Sequence, residues 1–413
     1  MRVLWLCNIV MPELAGIFGF KKQNVGGWLV GAWEELKKTN DIELGLCVPV
    51  RNPSRVKDGV VNGYNYYSFL MVSDEFCITI DSQIERFKVI IESFKPDIVH
   101  VWGTEYEHAY SMVQACKALN IIDRVLVNIQ GLLTYCNKVY SDGIPEDIIN
   151  KNINNKSIKT ERKFFEKGSE LEKTLIADVK NVVGRTDWDK ACVFDMNPAI
   201  NYYYCGEILR QGFYNSPKWS YDKCVHYRIF ISQASYPLKG LHMVIEYLAK
   251  LRQKWADMEI VIAGEDVTKK QTGYGDYLIH LIETYGMKNE IHFVGVLDED
   301  EMIRQYLSAN IFLSASLMEN SSNSVSEAMM IGTPVVASFV GGIPSVIQHG
   351  KSGLMYPVNE AYVMAHYIDE LFGNPVKAET ISKNEIVRAE AYNNKRMNGD
   401  TLINIYMQMR NKS

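Results

Sequence analysis

No stretch of the 413-residue chain approaches the roughly 20 consecutive apolar residues that a membrane-spanning helix requires. Cys-x-x-Cys pairs and zinc-like Cys/His spacings are absent. The eight cysteines are scattered and all precede residue 225, which points to free or buried thiols in a reducing compartment. There is no basic excess either: 44 Lys and Arg against 49 Asp and Glu leave a net charge of −5, unlike the basic field of a nucleic-acid-binding protein. Gly-x-Gly-x-x-Gly is missing, which argues against a nicotinamide enzyme. A hydrophobic fraction of 47% and a charged fraction of 23% are ordinary for folded globular chains and give no sign of disorder. Met1-Arg2-Val3-Leu4-Trp5-Leu6-Cys7 imitates a short signal peptide, but no small-residue cleavage pattern follows; a buried first strand and a cytoplasmic location are expected.

The length suits two domains of roughly 200 residues, each able to bury a core. Apolar, β-rich runs alternate with helical patterns. Strands are expected at Val3–Ile9, Glu43–Val48, Ile98–Trp102, Val125–Ile129 and Asn181–Gly184, then at Arg228–Ser232, Glu259–Ala263, Ile291–Val294, Ile311–Ser314 and Pro334–Ala337. Helices are expected at Trp28–Lys38, Ile84–Phe94, Ser111–Leu119, Leu241–Lys254, Tyr277–Tyr285 and Asp300–Ser308. Such alternation predicts an α/β chain with two doubly wound parallel sheets, joined near Asn215-Ser216-Pro217-Lys218. The expected domains are 1–215 and 216–385, with 386–413 a terminal helical segment expected to return to the first domain. Ligands of such sheets bind beyond the carboxyl ends of the strands, so two facing domains would enclose a cleft.

The most informative segment runs from Met318 to Ala337. Glu319 and Glu327 flank Asn320-Ser321-Ser322-Asn323-Ser324, and an amphipathic helix follows, stopped by Gly332 and Pro334 before an apolar strand. The free amides at that helix start, with the positive end of its dipole, suit a phosphate or diphosphate. A carboxylate on each side could then accept hydrogen bonds from a sugar and a ribose. A plainer reading is also open: Ser324 and Glu327 fit a Ser-x-x-Glu capping box.

The two glutamates, together with Glu-Ala-Met-x-x-Gly-Thr-Pro-Val-Val-Ala, resemble the retaining GT-B glycosyltransferases of family 4, which use nucleotide sugars. The resemblance is strongest over 228–357. It implies that Glu319 meets the donor sugar, Glu327 the ribose and the 320–324 segment the diphosphate. In Ser235-Tyr236-Pro237-Leu238-Lys239-Gly240 it implies that Lys239 neutralises the diphosphate and the departing nucleotide. Gly26-Gly27, after the first strand, resembles the glycine turn that approaches the diphosphate. Gly264 ends a nucleotide-domain strand, and Val296 and Leu297 would lie near the base. Gly341-Gly342 also falls where relatives have glycines.

Two departures accompany these matches. The turn arginine expected before Lys239 is replaced by Gln233, Ala234 and Ser235; Arg185 is a candidate substitute, with an ion pair as its structural alternative. The histidine that relatives direct at the donor is Gln130 here, which can position a ligand but cannot exchange a proton near neutral pH. A front-face reaction, in which the leaving phosphate takes the acceptor proton, needs no such base. Glu105, His108 and, within the tyrosine-rich run 201–210, Glu207 are acceptor-side candidates. Asp298-Glu299-Asp300 imitates a metal-binding Asp-x-Asp but directly precedes a helix, where acids favour the dipole, and no metal or cofactor is expected. The segment Ile158–Val182 combines lysines with Phe164, Phe165, Leu171, Leu175 and Ile176; it suits either a solvated helix packed on the first domain or peripheral contact with anionic lipid at the inner membrane face.

The expected protein is a hexosyltransferase that takes a nucleotide sugar, UDP-linked by family frequency, to a glycan or lipid-linked hydroxyl, in cell-surface polysaccharide synthesis, with no nucleic-acid partner. A GT-B epimerase and a catalytically silent sugar-nucleotide-binding protein are the alternatives.

Overall fold

The computed structural model describes residues 1–19, 26–152, 157–270 and 272–412. The chain divides into two compact units: Met1–Thr134 with Lys167–Ile208 and Asn394–Ser413, and Tyr135–Glu166 with Leu209–Asn393. This differs from a single break near residue 215. Residues 135–166 join the second unit because Tyr140, Ile144 and Ile158 are buried in its core. Asp142 O also receives His242 Nε2 at 2.9 Å.

The first unit is built on eight strands: β1 (Arg2–Leu6), β2 (Glu43–Val50), β3 (Gly59–Val61), β4 (Tyr64–Leu70), β5 (Ile98–Trp102), β6 (Val125–Asn128), β7 (Asn181–Gly184) and β8 (Asn201–Tyr204). Their order is β3-β4-β2-β1-β5-β6-β7-β8, with every pairing parallel except β3 with β4. β5, β6 and β7 are buried throughout, so they read as mostly apolar runs, broken only by His100, Asn128 and Asn181, rather than as alternating strands. Strand order reverses about β1, whose neighbours are β2 and β5. That is the switch point where loops splay apart at the carboxyl edge.

The terminal helix Lys395–Arg410 buries Leu402, Ile405 and Met409 in the first-unit core and reaches the sheet through the Tyr406 hydroxyl. Tyr406 Oη accepts from Trp5 Nε1 at 3.0 Å and is hydrogen-bonded to His100 Nδ1 at 2.6 Å. Burial lowers the His100 pKa to about 3, so the ring is neutral and can accept. Trp5 also packs edge-on against Trp33 and Trp102.

The second unit carries β9 (Arg228–Ile231), β10 (Glu259–Ala263), β11 (Ile291–Gly295), β12 (Ile311–Ser314), β13 (Val335–Ser338) and β14 (Leu354–Tyr356). The order is β11-β10-β9-β12-β13-β14, all parallel. Helices including Leu241–Arg252, Gly273–Thr284, Asn323–Ile331 and Pro375–Tyr392 accompany this sheet. The helix Ile158–Asp178 was expected to offer an apolar face to a domain or to lipid; Leu175 and Ile176 are fully buried, leaving Phe164 as its exposed aromatic. No helix among the described residues is long and apolar enough to cross a membrane.

Tyr406→Phe removes one hydroxyl and leaves both Trp5 Nε1 and His100 Nδ1 buried without partners. Chemical denaturation should show a loss of about 2 kcal/mol, and a loss below about 0.5 kcal/mol would mean that water replaces the hydroxyl.

Candidate functional site

In the second unit, two loops at the carboxyl edge of the sheet are fastened together. Leu317 N donates to Leu238 O at 2.8 Å, tying the loop after β12 to the loop after β9. Gly240 has φ +68, and a Cβ there would stand 1.9 Å from Ala315 O, so only glycine allows this approach. The result brings Lys239 Nζ to 2.6 Å from Glu319 Oε1, which also accepts from Ser316 Oγ at 2.8 Å. The backbone of Glu319 is held separately: Gly342 N donates to Glu319 O at 3.0 Å, and a Cβ on Gly341 would meet that oxygen at 1.9 Å. Burial by itself disfavours the Lys239 ammonium, but the hydrogen-bonded Glu319 carboxylate outweighs it and holds its pKa above the ordinary lysine range.

The helix Asn323–Ile331 starts three residues after Asn320. Ser322 is its N-cap and closes the first turn through Ser326 N to Ser322 O at 3.1 Å, so the amides of Asn323, Ser324 and Val325 have no acceptor within the helix. The Ser324–Glu327 capping box does not form. Glu327 instead receives Arg210 Nη2 at 3.0 Å on Oε1 and Tyr306 Oη at 3.2 Å on Oε2. Burial raises the Glu327 carboxyl pKa, while Arg210 and Tyr306 act against that rise. Arg210 also lies 3.7 Å from Glu299 Oε2. Asn320 and Ser321 are buried in the same segment. Gly264, with φ +89, follows β10 and donates its amide to Gly295 O at 2.8 Å. Beyond β11, Val296 is 78% exposed while Leu297 packs partly against the core. Asp298 caps the helix Glu299–Ser308 in a box with Glu301. Among the described residues no group of three or more His, Cys, Asp or Glu is placed to hold a metal ion.

In the first unit, Gly26 is the N-cap of the helix Gly27–Leu36 with φ 75, where a Cβ would strike Ile9 Cδ1 at 2.0 Å. Gln130 follows β6 and donates from Nε2 to Asn128 Oδ1. The candidate second cation, Arg185, is only 3% exposed; its guanidinium holds Ile129 O at 2.7 Å and pairs with Glu207 at 3.0 Å. The structure therefore gives Arg185 and Glu207 the ion-pair alternative. His108, an acceptor-side candidate, is a buried ring in the first turn of the helix Glu107–Ala118, its pKa lowered by burial to about 3. Glu105 accepts from Gly131 N at 2.8 Å through Oε1, and burial pushes its pKa up to about 7. A neighbouring carboxylate, Glu172, ties Thr104, Leu133 and Thr134 together.

The expected donor residues Lys239, Glu319, Glu327 and Ser322–Ser324 thus share one sheet edge of one unit. Arg210, Tyr306 and Ser316, which hold the two glutamates, carry no local sequence signal. Arg210 and Glu327 are separated by 117 positions.

The two parallel-sheet, Rossmann-like units define a GT-B α/β fold. A sucrose-phosphate synthase from Thermosynechococcus elongatus superposes with a TM-score of 0.76 over 100% of both chains at 17% identity. Anabaena HepE in complex with UDP-glucose gives a TM-score of 0.69 over 99% of this chain and 100% of its own, at 13% identity. Residues 225–388 match the family model described as glycosyl transferases group 1. An uncharacterized glycosyltransferase of Methanocaldococcus jannaschii is 31% identical over 132 residues, 32% of each chain. A D-inositol 3-phosphate glycosyltransferase of a Mycobacterium species is 29% identical over 139 residues, 33% of this chain and 30% of the relative. The chain matches about a third of the length of these two relatives.

Arg210→Ala leaves Glu327 as a buried, half-satisfied carboxylate and should cost about 3 kcal/mol in urea denaturation. Replacing both residues by alanine should cost less than the sum of the single changes. Additive losses would contradict a direct pairing.

Proposed function

We propose that the chain is a retaining glycosyltransferase that moves a hexosyl unit from a UDP-linked sugar to a hydroxyl of a glycan or lipid-linked acceptor in cell-surface polysaccharide synthesis. The observation that carries this reading is the Lys239–Glu319 ion pair beside the helix start at Ser322–Ser324. The match of residues 225–388 to the glycosyl transferases group 1 model supports it.

In this reading the donor diphosphate draws on the Lys239 ammonium and the amides of the helix start, competing with Glu319 for the lysine. Glu319, released from that pairing, accepts hydrogen bonds from donor sugar hydroxyls. Glu327, aligned by Arg210 and Tyr306, accepts from the ribose, and Gly264, Val296 and Leu297 border the base. The acceptor oxygen forms its bond to the anomeric carbon as the bond to the UDP oxygen breaks, and the acceptor proton passes to the leaving phosphate. Lys239 stabilises charge developing on that phosphate, a contribution worth about 10²–10³ in rate at comparable sites. Gln130 positions rather than exchanges protons, and no metal or cofactor is assigned a step. A lipid-linked acceptor would bring the protein to the inner membrane face.

Titration with UDP, GDP and ADP, followed by calorimetry, tests the donor assignment. UDP should bind tightest, and Glu327→Ala should weaken it by roughly tenfold, about 1.4 kcal/mol. No response to any of the three nucleotides would overturn the reading.

A further inference from the structure

A cavity lies wholly within the first unit. It has a volume of about 460 Å³ and opens at the carboxyl ends of β1, β2 and β4, beside the switch point at β1 and β5. Asn8 lines it after β1, Arg51, Asn52 and Arg55 after β2, Met71 after β4 and Tyr106 after β5.

The charges around this cavity are one-sided. Two guanidinium groups line it and no carboxylate does. Of the nearby acids, Glu13 is 3.6 Å from Lys37, Asp58 pairs with Arg86, and Glu105 accepts from the Gly131 amide through Oε1, while Glu13 Oε2 and Glu105 Oε2 are buried without a partner among the described residues. Arg51 is exposed and makes no ion pair or side-chain hydrogen bond among the described residues. The turn that carries the arginines is braced, since Asn52 Oδ1 accepts from Ser54 N at 2.9 Å and Ser54 Oγ at 2.8 Å. Asn8, which lines the cavity, has its Oδ1 buried without a partner among the described residues, so a hydroxyl donor is wanted there. The wall also has an apolar part, with Ile9, Val10, Ala15 and Val50.

We infer that this cavity binds an anionic, hydroxyl-bearing ligand, with a phosphate or carboxylate on Arg51 and a hydroxyl donating to Asn8. Resting on the glycosyltransferase reading, the acceptor is then an acidic sugar or a sugar phosphate rather than a neutral one. A planar guanidinium offers paired N–H donors that match either oxyanion, and its placement at an open rim keeps its desolvation cost low. A neutral sugar would leave that charge unused.

The test uses the full chain, with and without saturating UDP. Calorimetric titrations compare glucose 6-phosphate, glucuronate and glucose, together with phosphatidylcholine vesicles with and without phosphatidic acid. The two soluble anions, or the acidic vesicles if the phosphate is lipid-borne, should bind at least tenfold more tightly than their neutral counterparts. Arg51→Ala should abolish that preference and leave UDP affinity unchanged, while Arg51→Lys should retain part of it. Arg51→Gln serves if the alanine variant does not fold. Equal affinity for glucose and glucose 6-phosphate, anion binding that survives Arg51→Ala, or no anion binding while UDP still binds would each overturn the inference. Anion binding lost on Arg51→Ala in a protein that ignores every nucleotide would support this site and overturn the donor reading instead.

Discussion

Glu319 is fixed by its backbone and its side chain independently. The carbonyl is clasped by Gly342 N, with Gly341 packed so closely that a side chain there would overlap it. The carboxylate is shared by Lys239 and Ser316. Lys239, in turn, owes its position to Gly240, which lets its loop lie directly on Ala315 O. Two glycines in left-handed backbone thus bring a lysine and a glutamate 80 positions apart into contact. A charged pair at a strand edge beside a helix N-terminus is preorganised for an anion carrying hydroxyls, because the ammonium and the free amides act on the phosphate while the carboxylate accepts.

Buried carboxylates serve the first unit differently, as ties between loops. Glu172 accepts from Thr104 and from the amides of Leu133 and Thr134, and Asp189 accepts from the amides of Arg185 and Thr186. These bonds satisfy backbone groups beyond the strands that would otherwise be buried unpaired. Arg185 belongs to this scaffolding. Its bonds to Ile129 O and Glu207 brace the loop that holds Gln130.

Much of the sheet architecture was legible because short, fully buried strands leave a simple trace. Ile98–Trp102, Asn181–Gly184, Glu259–Ala263 and Ile311–Ser314 were expected with the bounds the structure has, each being a short apolar run between breakers. β1 was expected to reach Ile9 but ends at Leu6, where the chain leaves the ladder to line the edge cavity. The β3–β4 hairpin was not anticipated, although Asn62-Gly63, both at positive φ, is a recognised hairpin turn; the tyrosines and asparagine around it blur the apolar pattern. Segment 135–166 was unreadable for another reason. Its buried Tyr140, Ile144 and Ile158 are spaced without a period, and nothing local reveals which core receives them. The site was legible in its local motifs and silent in its supports. Ser324 and Glu327 satisfied a capping pattern, but the helix begins at Ser322 and a distant arginine claims the glutamate.

In the proposed reaction the Lys239–Glu319 pair works on a nucleotide-sugar donor with retention at the anomeric carbon. Proton NMR of UDP-glucose incubated with the protein, read before mutarotation, tests it directly through the slow release of glucose to water. α-Glucose should be the first product, with release lowered by about 10² or more in Lys239→Ala. First release of β-glucose, or equal rates in the parent and the variant, would contradict it.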